Sequence, residues 1–462
     1  MAKLPRSTPA EQGVDARGID RFIAALEPMP EIELHGLMVL RHGHVVAERW
    51  WQPYAPERPH QLYSMSKAFT ATALGFAVAE GLVDLDATAL SYFPEWDERV
   101  TDPRSRSTKV RHLASMASGH AEETFERAIE VGHGDMALGL LLLPPEFEPG
   151  THFAYNQPCT NTLAAVIERV SGESLTAFLR SRLFEPLGIE AFGWWPDPIG
   201  RAAGFTGLHV TTEAIAKVGQ LYLDGGRWQG KQLLPAAWVE QAGAVQVPTE
   251  WEGPDWSLGY GFQFWRSRHG YRGDGAYGQY MVILPEADAV VAITAQSPDM
   301  QGVLDQLWEH LLPALTAESG PSGPWPPGSP GAGHPTAAES PELARPAGDG
   351  STGDITEATY QPGPDNTVDT LKSVRVTPGE LLIDDGMELS APLGGPDGWT
   401  ISGPVATAHA WSGGRLLVDV ILIEGPHRLH LTLDPASGMF AARWQTKPLV
   451  PLPLALQRMP RP

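Results

Sequence analysis

Apolar residues follow both strand-like and helix-like periods along the first 315 residues. The segment LHGLMVLRHGHVVAERWW carries two apolar runs around the turn RHGH, which predicts a β-hairpin. Helical periodicity follows over residues 64–81, 159–171 and 211–224. Three strand-like runs come next (GYGFQFWRS, AYGQYMVILPE and DAVVAITAQ), before a final helical pattern, MQGVLDQLWEHLLPAL. Strands at both ends with helices between them predict an α+β unit, with one antiparallel sheet completed late in the chain and a helical subdomain.

The last hundred residues have a different pattern. Short alternating runs (LKSVRVT, ELLIDD, RLLVDVILIE, HRLHLTLD and MFAARWQ) are separated by Gly, Pro and Asp, which predicts a small antiparallel β-barrel or sandwich. Between the two units lies a Gly-, Pro- and Ser-rich tract typical of a linker. We therefore expect a large unit at 1–315, a linker at 316–353 and a small all-β unit at 354–462.

Composition narrows the classes of partner. A formal net charge of -22 on 462 residues disfavours nucleic acid and anionic membranes, which leaves a small molecule as the expected partner. No apolar run approaches a membrane span, and the N-terminus lacks the apolar core of a signal peptide, so we expect a cytoplasmic protein. Cys159 is the single cysteine, and the histidines form no ligand pattern, so no disulfide, metal or cofactor is predicted. The sequence does not indicate the oligomeric state.

The segment QLYSMSKAFTATALGFAVAEG places Ser64 and Lys67 three residues apart at the start of a helix. One interpretation is a capping serine with a solvated lysine. The other is a catalytic pair, because positions i and i+3 share a helix face and a lysine buried in an uncharged helix has a lowered pKa. The local pattern leaves both interpretations open.

Two further segments carry candidate chemistry. In PGTHFAYNQPC, Tyr155 is either a core aromatic residue or a phenol whose pKa a neighbouring lysine lowers, which could then pass a proton to a leaving group. In HGYRGDGAYGQYMVILPE, four glycines within nine residues indicate either a tight hairpin or a strand whose N–H groups face an acyl oxygen.

Taken in order, these segments resemble the serine β-lactamase and penicillin-binding-protein superfamily, over roughly residues 8–315. The resemblance is greatest to its class C-like branch of esterases, D-aminopeptidases and 6-aminohexanoate dimer hydrolases. VRHLASMASGH and GLHVTTEAIAKVGQLYLDGGRWQGKQLLP also resemble segments of that branch, in the same order. The resemblance implies a β-lactamase/transpeptidase-like fold for this part of the chain, and the alternating pattern alone predicts the C-terminal barrel.

The resemblance also implies roles for particular residues. Ser64 matches the acylated nucleophile, Lys67 the lysine that accepts its proton, and Tyr155 the tyrosine that protonates the leaving group. The oxyanion hole would consist of the backbone N–H groups of Ser64 and Ala276. This constellation implies an acyl-enzyme route for cleavage of a small ester or amide.

Two motifs depart from the β-lactamase pattern. The second motif, Tyr-x-Asn in β-lactamases, is Tyr155-Asn156-Gln157 here, so either Gln157 or Asn156 supplies the substrate-binding amide. The third motif aligns with Gly273-Asp274-Gly275, which lacks the Lys or His of relatives, although Gly275 keeps its place beside the substrate. Without that basic residue, the resemblance favours an esterase or amidase over a class C-like β-lactamase. A non-catalytic ligand sensor of the penicillin-binding type is the other alternative.

Several other residues are candidates for the site. Arg272, His269 or Arg268 could replace the missing base of the third motif from a neighbouring position. The tryptophans of EWEGPDWSLGYGFQFW either wall an apolar pocket or serve core packing. His120 could lie near the cleft, but we expect it to be solvent-exposed, and no histidine partner for Cys159 is evident.

Overall fold

The N-terminal unit is built around a six-stranded antiparallel sheet. A computed structural model describes residues 3–316, 340–395 and 397–461, so residues 317–339 of the predicted linker lie outside the described residues. The sheet order is β2-β1-β11-β10-β9-β8, in which the early hairpin pairs with the last strand of the unit. This pairing confirms the predicted sheet that is completed late in the chain. The strands of this unit are β1 Glu33–Arg41, β2 His44–Trp50, β3 His60–Gln61, β4 Phe192–Trp194, β5 Leu208–Val210, β6 Arg227–Trp228, β7 Lys231–Gln232, β8 Trp265–Arg266, β9 Tyr271–Gly275, β10 Gln279–Leu284 and β11 Ala289–Gln296.

Helices cover both faces of the sheet. The helices are α1 Ala16–Leu26, α2 Ser66–Ala79, α3 Pro103–Ser107, α4 Val110–Ala114, α5 Phe125–Val131, α6 Met136–Leu142, α7 Gln157–Ser171, α8 Leu175–Leu179, α9 Thr212–Leu223, α10 Ala236–Gly243, α11 Met300–Gln306 and α12 Leu312–Thr316. Side chains alternate along β10, so Val282 packs with α1 and α11 while Met281 packs with α2 and α9. Because β10 and β11 are buried on both faces, their sequences are continuous apolar runs.

The C-terminal unit is a nine-stranded, nearly closed, barrel-like sheet. Its strands are β12 Ala358–Pro362, β13 Ser373–Thr377, β14 Glu380–Asp384, β15 Glu388–Pro392, β16 Thr400–Ser402, β17 Val405–Ser412, β18 Arg415–Leu422, β19 His427–Asp434 and β20 Met439–Trp444. The order is β15-β14-β13-β12-β20-β19-β18-β17-β16, with β12 and β20 the one parallel pair among these strands. Alternating apolar residues from the strands fill its interior, which confirms the predicted all-β unit.

The barrel-like sheet packs directly against the N-terminal unit. Tyr54 donates to the carbonyl of Gly425 (2.9 Å), and Arg428 forms a 2.9 Å ion pair with Glu33. Residues 340–353 also take part, since the buried side chain of Leu343 belongs to the core that the two units share. After β20 the chain contacts both units: Leu454 packs in the core of the barrel-like sheet, whereas the carbonyl of Arg458 accepts from Nε1 of Trp195 at 2.9 Å.

Candidate active site

Ser64 and Lys67 lie at the point where the chain enters α2. A helical turn at Tyr63–Met65 precedes the helix and leaves Ser64 half-buried on the wall of a pocket. Lys67 Nζ donates to Ser64 Oγ at 3.0 Å and to the carbonyl of Phe205 at 3.0 Å. The two side chains therefore share one helix face, as their spacing predicts.

The lysine has an unusual environment. Lys67 is 1% exposed, and burial lowers its pKa to about 7, although Glu123 and Asp274 oppose this shift. The prediction of a buried lysine with a lowered pKa is confirmed. A substantial fraction of its amine is thus neutral near pH 7 and able to accept a proton.

Tyr155 lies over the same pair. Lys67 Nζ is 4.7 Å from the centroid of its ring, and the phenol is close enough to the Ser64 hydroxyl for that group to affect its pKa. Trp265 stacks on the ring at 5.5 Å and Trp251 meets it edge-on at 5.7 Å. Burial and the charge of Asp274 raise the pKa of Tyr155 above its ordinary value. The interpretation in which a neighbouring lysine lowers the pKa of Tyr155 is therefore wrong, because burial raises this pKa more than Ser64 and Arg272 lower it.

The two amides of the second motif have different surroundings. Gln157 faces the pocket, where its backbone N–H and its side-chain amide donate to the carboxylate of Glu123 at 2.9 and 3.1 Å. Asn156 is fully buried, and its Oδ1 accepts from the backbone N–H and the hydroxyl of Thr124, both at 3.0 Å. Gln157 thus faces the cleft, whereas Asn156 holds the segment that carries Glu123.

The third motif brings β9 against the start of α2. A Cβ on Gly275 would lie 2.0 Å from the carbonyl oxygen of Leu62 and 3.1 Å from the backbone nitrogen of Met65. Only glycine fits such an approach, and it brings Ala276 next to the turn that carries Ser64. A Cβ on Gly273 would lie 3.2 Å from Cβ of Ala68, so the strand also approaches α2 closely at this position.

The three candidate replacements for the missing base have other partners. Arg272 is completely buried and pairs with Asp274 at 3.0 Å. Arg268 pairs with Asp255 at 2.7 Å, and the ring of His269 packs on Trp308 at 5.1 Å. None of these three residues lines either of the two pockets that form the cleft.

Two adjoining pockets form the cleft. The first, about 390 Å³, is lined by Ser64, by residues 123–127 and by Leu449 and Val450 from the segment after the barrel. The second, about 540 Å³, is lined by Tyr155 and Trp251 among others, and Glu123 and Gln157 border both pockets.

Sequence reasoning missed some of these residues. Glu123 lies in a polar loop with no motif, and Leu449 lies more than three hundred residues after Ser64, so no local pattern marks either residue. The expectation for His120 is also wrong, because it is 3% exposed and bonded to Ser118 and to the carbonyl of Leu143. Cys159 is buried, and burial raises the pKa of its thiol to about 12.

Neither a metal centre nor a membrane span is found within the described ranges. No cluster of three or more His, Cys, Asp or Glu residues there has a metal-binding arrangement. No described helix combines the length and the apolar character that crossing a membrane requires.

The fold and the site together define a class of protein. An antiparallel sheet flanked by helices, with serine and lysine one turn apart at the start of a buried helix, is the β-lactamase/transpeptidase-like arrangement. The Beta-lactamase family model matches residues 22–315, more than half of the chain, and the chain belongs to this family. It is an enzyme, a β-lactamase-related serine hydrolase.

Individual relatives support this assignment. The chain is 28% identical over 325 residues to the 6-aminohexanoate-dimer hydrolase of Paenarthrobacter ureafaciens, covering 65% of this chain and 82% of the relative. It is 25% identical over 350 residues to penicillin-binding protein 4 of Amycolatopsis lactamdurans, covering 66% and 89%. The octameric penicillin-binding protein homologue from Pyrococcus abyssi aligns with a TM-score of 0.50 at 17% identity, over 90% of this chain and 98% of its own. That alignment supports a common fold beyond the catalytic unit.

Proposed function

We propose that the protein cleaves a small ester or amide through an acyl-enzyme formed on Ser64. The observation that carries this proposal is the buried Lys67 amine, 3.0 Å from Ser64 Oγ, with a pKa of about 7. The neutral amine takes the hydroxyl proton while Oγ attacks the substrate carbonyl carbon. The resulting ammonium is the acid for the next step.

Tyr155 connects this acid with the leaving group. Because the pKa of Tyr155 is raised, the phenol remains protonated and acts as a relay. It gives its proton to the departing alcohol or amine and receives one from Lys67. Water then attacks the acyl-enzyme carbonyl and transfers a proton back through the same groups, which releases the acid and regenerates Ser64.

The oxyanion of each tetrahedral intermediate needs hydrogen-bond donors. We assign this role to the backbone N–H groups of Ser64 and Ala276. The close approach of Gly275 to Leu62 supports this assignment, since it brings the two backbone segments together. Gln157 would orient the substrate directly. Asn156 would do so indirectly, because it holds the segment that carries Glu123.

The charges in the cleft favour certain substrates. Glu123, Glu126 and Arg127 line the pocket beside Ser64, and Arg127 is 3.5 Å from Glu122. The pocket therefore has a net negative character, which supports neutral or amine-bearing substrates over anionic β-lactams. An esterase or amidase is accordingly favoured over a β-lactamase.

Covalent labelling and turnover test the proposal. Native protein incubated with a fluorophosphonate should gain one adduct on the peptide that contains Ser64, and Ser64→Ala should gain none. A panel of p-nitrophenyl esters, D- and L-aminoacyl anilides and nitrocefin then defines the substrate class, with nitrocefin expected to be the poorest. Full turnover by Ser64→Ala would refute the acyl-enzyme. Saturable binding of substrates without labelling or turnover would instead favour a ligand sensor.

A further inference from the structure

Two tyrosines adjoin the proposed oxyanion hole, and both have strained backbones. Tyr63 immediately precedes Ser64 and has a φ of 47°. Tyr277 immediately follows Ala276 and has a φ of 67°. Non-glycine residues rarely adopt positive φ, and they keep it only where the surrounding structure holds them there.

The side chains of both tyrosines converge on one histidine of the barrel-like unit. The hydroxyl of Tyr63 is 2.5 Å from Nε2 of His427, and the two rings meet edge-on. The ring of Tyr277 lies edge-on to both of them, at 5.4 Å from Tyr63 and 5.6 Å from His427. The Tyr277 hydroxyl donates to the carbonyl of Lys447 at 2.6 Å.

The direction of these hydrogen bonds follows from the partners. Nδ1 of His427 is 2.9 Å from the carbonyl of Thr446, which can only accept, so Nδ1 carries the proton. Nε2 is then an acceptor, and the Tyr63 hydroxyl donates to it. Burial lowers the pKa of His427 to about 4, in agreement with a neutral ring.

The segment that carries the Thr446 and Lys447 carbonyls is itself anchored to the N-terminal unit. Gln445 Nε2 donates to Gln296 Oε1 at 2.6 Å, and Gln296 Nε2 also bonds the hydroxyl of Thr446. Gln296 is the last residue of β11, and the backbone N–H of Ser297 donates to the carbonyl of Tyr277 at 3.0 Å. Residues 445–447 are thus fixed relative to the sheet that carries one half of the proposed hole.

We propose that the C-terminal barrel-like unit is a positioning element for catalysis: His427 and the Lys447 carbonyl hold Tyr63 and Tyr277 so that the N–H groups of Ser64 and Ala276 converge. The inference rests on the proposed function of Ser64. The four groups are positioning residues, since they act on the oxyanion through the backbone next to them. On this account the barrel contributes to kcat, beyond its contribution to the stability of the fold.

The test compares variants in which one positioning bond is lost. Tyr63→Phe and Tyr277→Phe each remove a hydroxyl, and His427→Leu removes both ring nitrogens. His427→Gln is the conservative variant, because its amide oxygen can still accept from Tyr63. We expect kcat to fall about tenfold or more in Tyr63→Phe and His427→Leu while KM changes less than threefold, with partial recovery in His427→Gln.

A second readout reports on the oxyanion hole itself. Each enzyme is assayed with an ester and with the matched thionoester, whose C=S sulfur accepts hydrogen bonds poorly. A well-formed hole favours the ester strongly, so disturbing it should reduce the ester-to-thionoester ratio of kcat/KM by about tenfold. A loss of folded protein lowers both rates equally and leaves this ratio unchanged. The Tyr→Phe variants keep the test valid even if His427→Leu does not fold.

Matched controls lie elsewhere in the barrel-like unit. Tyr360→Phe, at a buried tyrosine, and His430→Gln, on the same strand as His427, should retain the native ratio. A ratio within twofold of native in Tyr63→Phe, Tyr277→Phe and His427→Leu, in folded proteins, would overturn the proposal. Fluorophosphonate labelling of native protein separates the two hypotheses: absence of labelling at Ser64 rejects the function, whereas normal labelling with unchanged ratios rejects only the positioning role.

Discussion

The pH dependence of acylation is the sharpest test of Lys67 as the base. The perturbation is pH alone, so the protein is not altered. With a pKa of about 7, the neutral fraction of Lys67 is about 9% at pH 6 and about 91% at pH 8. We therefore expect kcat/KM for a neutral ester to rise about tenfold between pH 6 and pH 8 and to reach a plateau above pH 8.

An ordinary lysine would give a different curve. With a pKa near 10.5, the neutral fraction would rise about a hundredfold over the same interval and would continue to rise beyond pH 9. The difference arises from burial, which lowers the pKa of Lys67, while Glu123 and Asp274 raise it less. The pH at which the plateau begins therefore reports how strongly burial removes Lys67 from solvent.

The assay is the initial rate of hydrolysis of a p-nitrophenyl ester at substrate concentrations well below KM. Absorbance is recorded where the phenol and the phenolate absorb equally, so that ionisation of the product does not distort the profile. Ser64→Ala, measured at each pH, gives the background rate. A profile that is flat from pH 5.5 upward, or one that still rises at pH 10, would refute the assignment of Lys67 as a base with a pKa of about 7.

Three further predictions follow from the geometry. Gly275→Ala should lower kcat/KM at least about a hundredfold, because its Cβ would meet the Leu62 carbonyl, whereas Gly395→Ala, with open space around it, should stay within twofold. Glu123→Gln should lower the preference for an amine-terminated ester over its methyl-terminated analogue about threefold to fivefold, and an unchanged ratio would contradict our account of the pocket charge. The protein should lose stability between pH 6.5 and pH 4, because the pKa of His427 is lower in the folded than in the unfolded chain, so the unfolded chain binds the proton first. This group alone should lower the free energy of unfolding by about 2 kcal/mol at pH 5. In urea unfolding, His427→Gln should therefore show a smaller decrease of this free energy with falling pH.

The sequence predicted those parts of the molecule that depend on local periodicity and on the order of motifs. The hairpin, α2 and the paired strands β10 and β11 follow from apolar patterns, and the Ser64–Lys67 pair follows from helical spacing. The raised pKa of Tyr155 could not be predicted in the same way. A neighbouring lysine is visible in the sequence, but the burial that raises the pKa of Tyr155 depends on aromatic residues about a hundred positions away.

Contacts between the two units are still harder to predict from the sequence. Nothing around His427 marks it as a partner of the residue before the nucleophile, because 364 positions separate His427 from Tyr63. A linker of Gly and Pro is compatible with either a docked or an independent barrel. Contacts such as the burial of Leu343 and the ion pair between Arg428 and Glu33 identify the docked arrangement.

The segment after β20 belongs to the barrel-like unit by sequence and to the active-site cleft by position. Every strand of the barrel ends by Trp444, yet Leu449 and Val450 line the pocket beside Ser64. Substitution of Leu449 and Val450 would therefore change one wall of the pocket without altering any strand of the barrel. Substitutions at Leu449 and Val450, outside the N-terminal unit, should therefore alter the substrate preference directly.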